Sequence, residues 1–313
     1  MDGILVVAKP VGPTSHDVVG LIRRLAATKR VGHGGTLDPF ASGVLPVFLG
    51  KATRLVEYHL GDRKRYRATV CFGATSTTDD LEGALTPVTG PAPTRAATEA
   101  GLDAFRGEID QRPPAYSAIK VAGRRAYAMA RAGQAVELEP RRVTIHELTL
   151  VSWDDAIPDE PVAVVDVECS AGTYVRSLAR DLGAAIGSGA YLGALVRTAS
   201  GPFLLEDATD LDAVRAAAET GPAAVEALLR PIDSGLDLPT VVVPAPSLVL
   251  IGRGQAVGVP AGTGSLPADG PIRLVDEAGR LVAIARLAGT KLAPDKVLLD
   301  APAAREPAAS RPA

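Results

Sequence analysis

Residues 32–55 read GHGGTLDPFASGVLPVFLGKATRL. The stretch sets one acid, Asp38, between a Gly-rich turn and Pro39, with a further glycine and an apolar run behind it. Gly34 and Gly35 permit backbone angles closed to other residues. The acid is thus fixed by its neighbours and presented at a loop, as a catalytic carboxylate must be. An Asp-Pro turn capping a helix is the local alternative. The run VLPVFLGKATRLV then reads as a strand leading into a short helix.

Outward on the N-terminal side, GILVVAKP is a short apolar strand ended by Lys9 and Pro10. Thr14 and Ser15 open a helix whose apolar residues Val18, Val19, Ile22 and Leu25 recur at helical spacing. On the C-terminal side, KRYRATVCFG alternates and is β-branched, a strand with Tyr66 near its start. A Pro-rich connector leads to a helix from about Arg95 to Phe105. The segment 111–142 is basic and short of apolar runs, which suits an insertion over a surface. VTIHELTLVSW and PVAVVDVECSAG read as paired strands, RSLARDLGAAIG as a helix, and YLGALVRTASGPF as a strand or turn.

Strands and helices alternate without regular βαβ spacing. This predicts an α/β (α+β) domain with a mixed, largely antiparallel sheet over residues 1–238, closed by helices over about 205–238. After the Pro-rich LDLPTVVVPAPS, short β-like runs predict a small β-rich domain at 239–300. Residues 301–313 have the composition of a disordered tail.

The chain has 313 residues, enough for a full core and two domains. Its two cysteines, Cys71 and Cys169, cannot make a disulfide framework and read as buried free thiols in a reducing compartment. No apolar run approaches a membrane span, and MDGILVVAKP lacks a signal-peptide layout. The expectation is a cytoplasmic protein with no membrane contact. Net charge is −3, yet residues 1–67 hold 11 Lys/Arg against 5 Asp/Glu, a net of +6. A basic third on an acidic chain suggests a local anionic partner. No Cys/His cluster has metal spacing, and no P-loop or dinucleotide fingerprint occurs. No metal and no cofactor are therefore expected.

The Asp38 block resembles the central motif of the TruB family of tRNA pseudouridine-55 synthases. Four other stretches fit in the family's order: VVAKPVGPTSHDVV (6–19), DRKRYRATVCFG (62–73), RPPAYSAIKVAGRRAYAMAR (112–131) and CSAGTYVRSLARDLG (169–183). Together they span roughly residues 4–205. The family often has an acidic Thr-Asp-Thr run where this chain reads STTDDLEG (76–83), a departure expected to touch only a peripheral contact.

The resemblance implies a pseudouridine synthase fold with a PUA-like C-terminal module. It also implies an isomerase that flips the T-loop uridine of tRNA (U55) and remakes its glycosidic bond at C5. Asp38 would be the catalytic acid: attack on C1′, addition to C6 and proton abstraction from the ribose all stay open. Arg176 would pair with Asp38 and keep it ionised by lowering its pKa. Tyr66 would stack on the uracil, His33 would fill the gap left by the flipped base, and Leu195 would line the uracil site. Tyr174 sits two residues before Arg176; on an extended stretch the two would share a face and so one pocket. Arg124, Arg125, Lys64 and Arg65 are candidate RNA contacts. Asp79–Asp80 reads as a polar turn, with Asp80 as a nearby second acid the alternative. The partner is the tRNA T stem-loop, bound by a monomer. A non-catalytic RNA-folding protein, a guide-RNA-dependent relative and an Asp-dependent glycosidase are the other readings. The last would need two carboxylates across one bond.

Overall fold

The computed structural model describes residues 1–299 apart from positions 91, 118, 122, 133 and 135–137. The expected tail, 301–313, lies outside the described residues. The chain divides into two compact units after Pro231.

The first unit is built on a ten-stranded mixed sheet. Its strands are β1 (Gly3–Lys9), β2 (Val31–His33), β3 (Ser42–Leu49), β4 (Lys64–Phe72), β5 (Gly107–Gln111), β6 (Arg141–Asp154), β7 (Val162–Cys169), β8 (Ala190–Ser200), β9 (Phe203–Leu204) and β10 (Thr209–Asp210). Their order is β10-β1-β3-β8-β4-β7-β6-β5, with β2 on β3 and β9 on β8. Only β1–β10 and β3–β8 are parallel, so the sheet is mixed and largely antiparallel, as the sequence predicts.

Helices α1 (Ser15–Leu25), α2 (Arg95–Leu102), α3 (Val175–Ile186) and α4 (Leu211–Thr220) pack on this sheet. Thr14 caps α1 through a reciprocal pair with Asp17: its Oγ1 accepts from the Asp17 amide, and the Asp17 carboxylate accepts from the Thr14 amide. Val18 and Ile22 then meet Leu5, Val7, Leu45 and Val47 in one apolar cluster. Leu178, Ala179 and Leu182 of α3 meet Ala68, Val70 and Phe72 of β4 in another. The helix expected over 95–105 ends at Leu102 and continues as a single tighter 3₁₀ turn, Asp103–Phe105.

The insertion leaves from β5 and returns to β6. Among the described residues it holds a small hairpin, Lys120–Val121 with Arg124–Arg125, and a helix, Ala126–Arg131. Cys169 is buried as expected, whereas Cys71 is only half-buried; both are free. They sit at opposite ends of the β4–β7 pair, facing Lys64 and Val162 respectively.

The second unit is β-rich. Strands β11 (Thr240–Val242), β12 (Val257–Gly258), β13 (Ile272–Val275), β14 (Leu281–Ala288) and β15 (Lys291–Val297) run in the order β11-β13-β14-β15-β12. With helix α5 (Ala245–Gly252) they enclose a core of Val241, Val243, Ile251, Ile272 and Leu274. The unit begins earlier than the sequence-based boundary at 238/239. Arg273 explains this: its guanidinium holds the Asp233 carboxylate and the Leu236 carbonyl, tying the preceding segment to β13.

Candidate active site

Residues 34–41 form the loop between β2 and β3. Leu37 and Phe40 are buried and pin the loop on either side of Asp38. Ser15, at the first turn of α1, both accepts from the Leu37 amide (2.8 Å) and donates to the Leu37 carbonyl (3.0 Å). Lys9, 1% exposed, donates from Nζ to the carbonyls of Ala41 (2.6 Å) and Pro10 (2.8 Å). Burial pushes its ammonium down to about 8, against the pull of Asp38. The Gly12 amide donates to the Pro39 carbonyl at 2.8 Å. The carbonyls of Leu37, Pro39 and Ala41 are thus held by neighbouring donors, which fixes the backbone that carries the Asp38 side chain.

The Asp38 side chain projects into a cavity of about 770 Å³ whose wall includes Asp38, Lys64, Tyr66, Asp80, Tyr116, Tyr174, Arg176, Leu195 and Arg197. Asp38 Oδ2 lies 3.1 Å from Arg176 Nε, and Asp80 Oδ2 lies 3.1 Å from Arg176 Nη1. Arg176 also donates to the carbonyls of Thr78 (3.1 Å) and Tyr116 (3.0 Å). Asp80 is 3% exposed. It accepts in addition from Thr78 Oγ1 (2.5 Å) and the Glu82 amide (3.0 Å), so its oxygens are committed to structure. The Asp38 side chain keeps 37% of its surface open to the cavity.

Five of the six expected site residues, Asp38, Tyr66, Tyr174, Arg176 and Leu195, line this cavity. His33 is absent from its lining; His16, in the first turn of α1, lies at the wall instead. The His33 Nδ1 accepts from the Gly35 amide at 3.3 Å. Burial, then the charge of Arg197, makes its imidazole harder to protonate than usual.

Four expectations need correction. Lys64 is not free for RNA: it is buried, and its Nζ donates to the carbonyls of Asp62 (2.6 Å), Leu60 (3.2 Å) and His59 (3.4 Å). The Asp38 carboxyl has a raised pKa, because burial outweighs the downward pull of Arg176 and Asp80 adds to the rise. Tyr174 and Arg176 do not share an extended stretch: α3 begins at Val175, and Tyr174 is its N-cap. They meet because the first turn of α3 opens onto the cavity. The 76–83 run is not peripheral, since Thr78 and Asp80 hold the guanidinium that faces Asp38.

The surface charge is also rearranged. Arg65, 62% exposed in its side chain, donates to Glu168 at 2.7 Å, and Arg63 reaches the same carboxylate at 3.1 Å. Arg67 pairs in a fork with Asp166. Part of the basic excess of residues 1–67 is therefore answered across β7. Arg124 is exposed; the Arg125 side chain lies outside what the structure describes. Among the described residues, no group of three or more His, Cys, Asp or Glu is placed to hold a metal ion, and no helix is long and apolar enough to cross a membrane.

Reading the sequence missed Ser15 as a holder of the Asp38 loop, Asp80 as a partner of Arg176, and Arg197. For Arg197 a signal existed: it lies two residues beyond Leu195 on a strand, hence on the same face.

Residues 23–175 match the TruB family pseudouridylate synthase N-terminal domain, and residues 176–237 match the tRNA pseudouridylate synthase B C-terminal domain. The chain belongs to the TruB family of pseudouridylate synthases. It is 44% identical to tRNA pseudouridine synthase B of Bradyrhizobium diazoefficiens, over 94% of this chain and 85% of that one. It is 41% identical to the protein of the same name from Gluconacetobacter diazotrophicus, over 95% and 97%. Among solved structures, a chain of an H/ACA RNP bound to a substrate RNA containing 2′-deoxyuridine matches with a TM-score of 0.72 at 25% identity. It covers 95% of this chain and 85% of that one. A chain from a Cbf5–Nop10–Gar1 complex matches with a TM-score of 0.71 at 28% identity, over the same shares.

Proposed function

We propose that this protein isomerises the T-loop uridine of tRNA (U55) to pseudouridine, with Asp38 as the catalytic acid. It is an enzyme of the tRNA pseudouridine synthase B kind, as its relatives are named over most of their length. The observation that carries the reading is the Asp38 carboxylate, fixed on a clamped loop, facing Arg176 and open to a cavity that could enclose one nucleotide.

The reaction breaks the N1–C1′ bond, turns the uracil and rejoins it through C5; nothing is oxidised or reduced. It needs a flipped nucleotide, a carboxylate near C1′ and C6, and walls that retain the detached base. Tyr66 offers a flat face for the base, and Leu195 an apolar one. His33, held at the edge of the Asp38 loop, would occupy the space vacated in the RNA stack as a neutral ring. Action as a monomer in the cytoplasm, where tRNA is processed, completes the reading. The β-rich second unit would be a PUA-like module.

Two observations weigh against the alternatives. Asp80 is consumed by Arg176 and its own turn, so it is not free to serve as the second working carboxylate of a glycosidase. The identity to tRNA pseudouridine synthase B proteins exceeds that to the chain in the H/ACA assembly, which supports the stand-alone reading. The test is to incubate the purified chain with an unmodified T-arm transcript, no cofactor and no guide RNA, and to map pseudouridine. Modification at the T-loop uridine is expected; an unmodified transcript would remove the assignment.

The insertion supplies a second expectation. Replacing Arg124 and Arg125 together by Gln should weaken T-arm binding. The slope of log affinity against log salt should flatten by about one unit or less per lost phosphate contact. Titrations at several salt concentrations measure it, and an unchanged slope would show that the pair does not touch the RNA backbone.

A further inference from the structure

Arg197 is the largest fully buried side chain among the described residues, 1% exposed, and there it pairs with no carboxylate. A buried cation stripped of water is costly unless other groups replace its hydration. Three carbonyls do so. Nε donates to Val44 (2.8 Å), Nη1 to Thr36 (3.3 Å) and Nη2 to Gly35 (3.1 Å). Thr36 and Gly35 precede Asp38 and Val44 follows it, so one guanidinium closes both ends of the Asp38 loop. The approach is close: β3 and β8 pair Gly43 with Arg197, and a Cβ on Gly43, at φ +115°, would lie 2.2 Å from the Arg197 carbonyl oxygen.

Arg197 also stands directly opposite Tyr66 in the antiparallel β4–β8 register, and both line the cavity. Opposed residues project on the same face of a sheet. Burial suppresses ionisation of the Tyr66 phenol, and the charge of the Arg197 guanidinium across the strand pair opposes that. A guanidinium can only donate. Toward such a neighbour the phenol can offer only its oxygen, and its hydrogen stays available to a group in the cavity.

We propose that Arg197 is a positioning residue for the isomerisation, acting through Tyr66: it aims the phenol against the face of the pyrimidine ring and polarises its O–H dipole toward the charge that develops there. The proposal rests on the function assigned above. Whichever role Asp38 takes, negative charge develops on that ring. As the N1–C1′ bond breaks, the electron pair stays with the base and is shared by O2 and O4. Charge is cancelled when C1′ bonds to C5 and the C5 proton passes to N1, so product and substrate have the same atoms. A donor already aimed at this charge stabilises it without reorganising.

The test replaces Tyr66 by 3,5-difluorotyrosine, whose fluorines bring phenol ionisation into the range a folded protein tolerates, and follows it by ¹⁹F NMR. Arg197→Gln keeps two N–H donors for the loop carbonyls but loses the charge. It should move the ionisation up by about one pH unit or more. Arg197→Lys keeps the charge without the fork and should move it up by less. If the Gln variant does not fold, the Lys variant carries the same test. In the protein with its native Tyr66, kcat at saturating tRNA should fall at least about tenfold in Arg197→Gln, while the tRNA Kd stays within about threefold. A phenol that does not move in the folded variants overturns the proposal, as does a phenol that moves with kcat unchanged. Absence of isomerisation by the unaltered protein would instead count against the assigned function.

Discussion

Asp38→Asn is expected to lower isomerisation by at least about 10³-fold, roughly 4 kcal/mol of transition-state stabilisation. Affinity for tRNA should stay within about tenfold, or roughly 1.4 kcal/mol. The variant should also fold at least as stably as the parent. Asp38 has a raised pKa in the folded protein, chiefly from burial. For an acid, that sign means the folded state disfavours the carboxylate. The penalty is absent below the unfolded pKa, grows as pH rises through the folded one, and is complete above it. At neutral pH the neutral Asn escapes it. Arg176 keeps Asp80, the Thr78 carbonyl and the Tyr116 carbonyl when Asp38 is gone. Single-turnover assays and thermal melts measure the two effects. Near-normal turnover would remove Asp38 from the chemistry, and a clearly lower melting temperature would show that its carboxylate holds the fold.

Arg176→Gln should do the reverse to stability. Asp80 would be left buried with Thr78 Oγ1 and the Glu82 amide but no cation. Breaking a buried pair by removing one partner typically costs about 3–5 kcal/mol. A lower denaturant midpoint at unchanged slope is the expected reading. Activity should fall as well, with a signature in pH. Ionised Asp38 is lost as pH drops through its folded pKa, so kcat/KM has an acid limb above the ordinary Asp range. Without the Arg176 charge that pulls this pKa down, the limb should move to higher pH. A limb that stays in place, or moves down, would mean the guanidinium does not set the ionisation of Asp38.

Much of this site was legible because it depends on local chemistry. Gly34, Gly35 and Pro39 mark a constrained loop around Asp38, and the alternation of β4 places Tyr66 at a strand start. What was not legible depends on distant backbone. Lys64 reads as one of several surface cations in DRKRYR, yet three carbonyls of residues 59–62 bury it. Asp80 reads as half of a polar turn until α3 brings Arg176 beside it. Nor does spacing show whether burial or Arg176 prevails at Asp38, because desolvation is set by everything that surrounds the loop.

The attachment of the insertion has a consequence for engineering. The Gln111 side chain brackets the Tyr174 backbone, donating to its carbonyl (3.1 Å) and accepting from its amide (2.8 Å). The Arg112 carbonyl accepts from Ser177 and Arg180 of α3, and the Tyr116 carbonyl from Arg176. Beyond this root the chain closes on itself, with the Tyr127 amide donating to Ser117 and the Ala126 amide to Ile119. A graft exchanging this segment between relatives therefore has its natural splice point after Tyr116, not at the end of the strand. A cut at Gln111 would carry away one of the four groups that hold the arginine facing Asp38. A cut after Tyr116 would exchange the distal segment and leave those four in place.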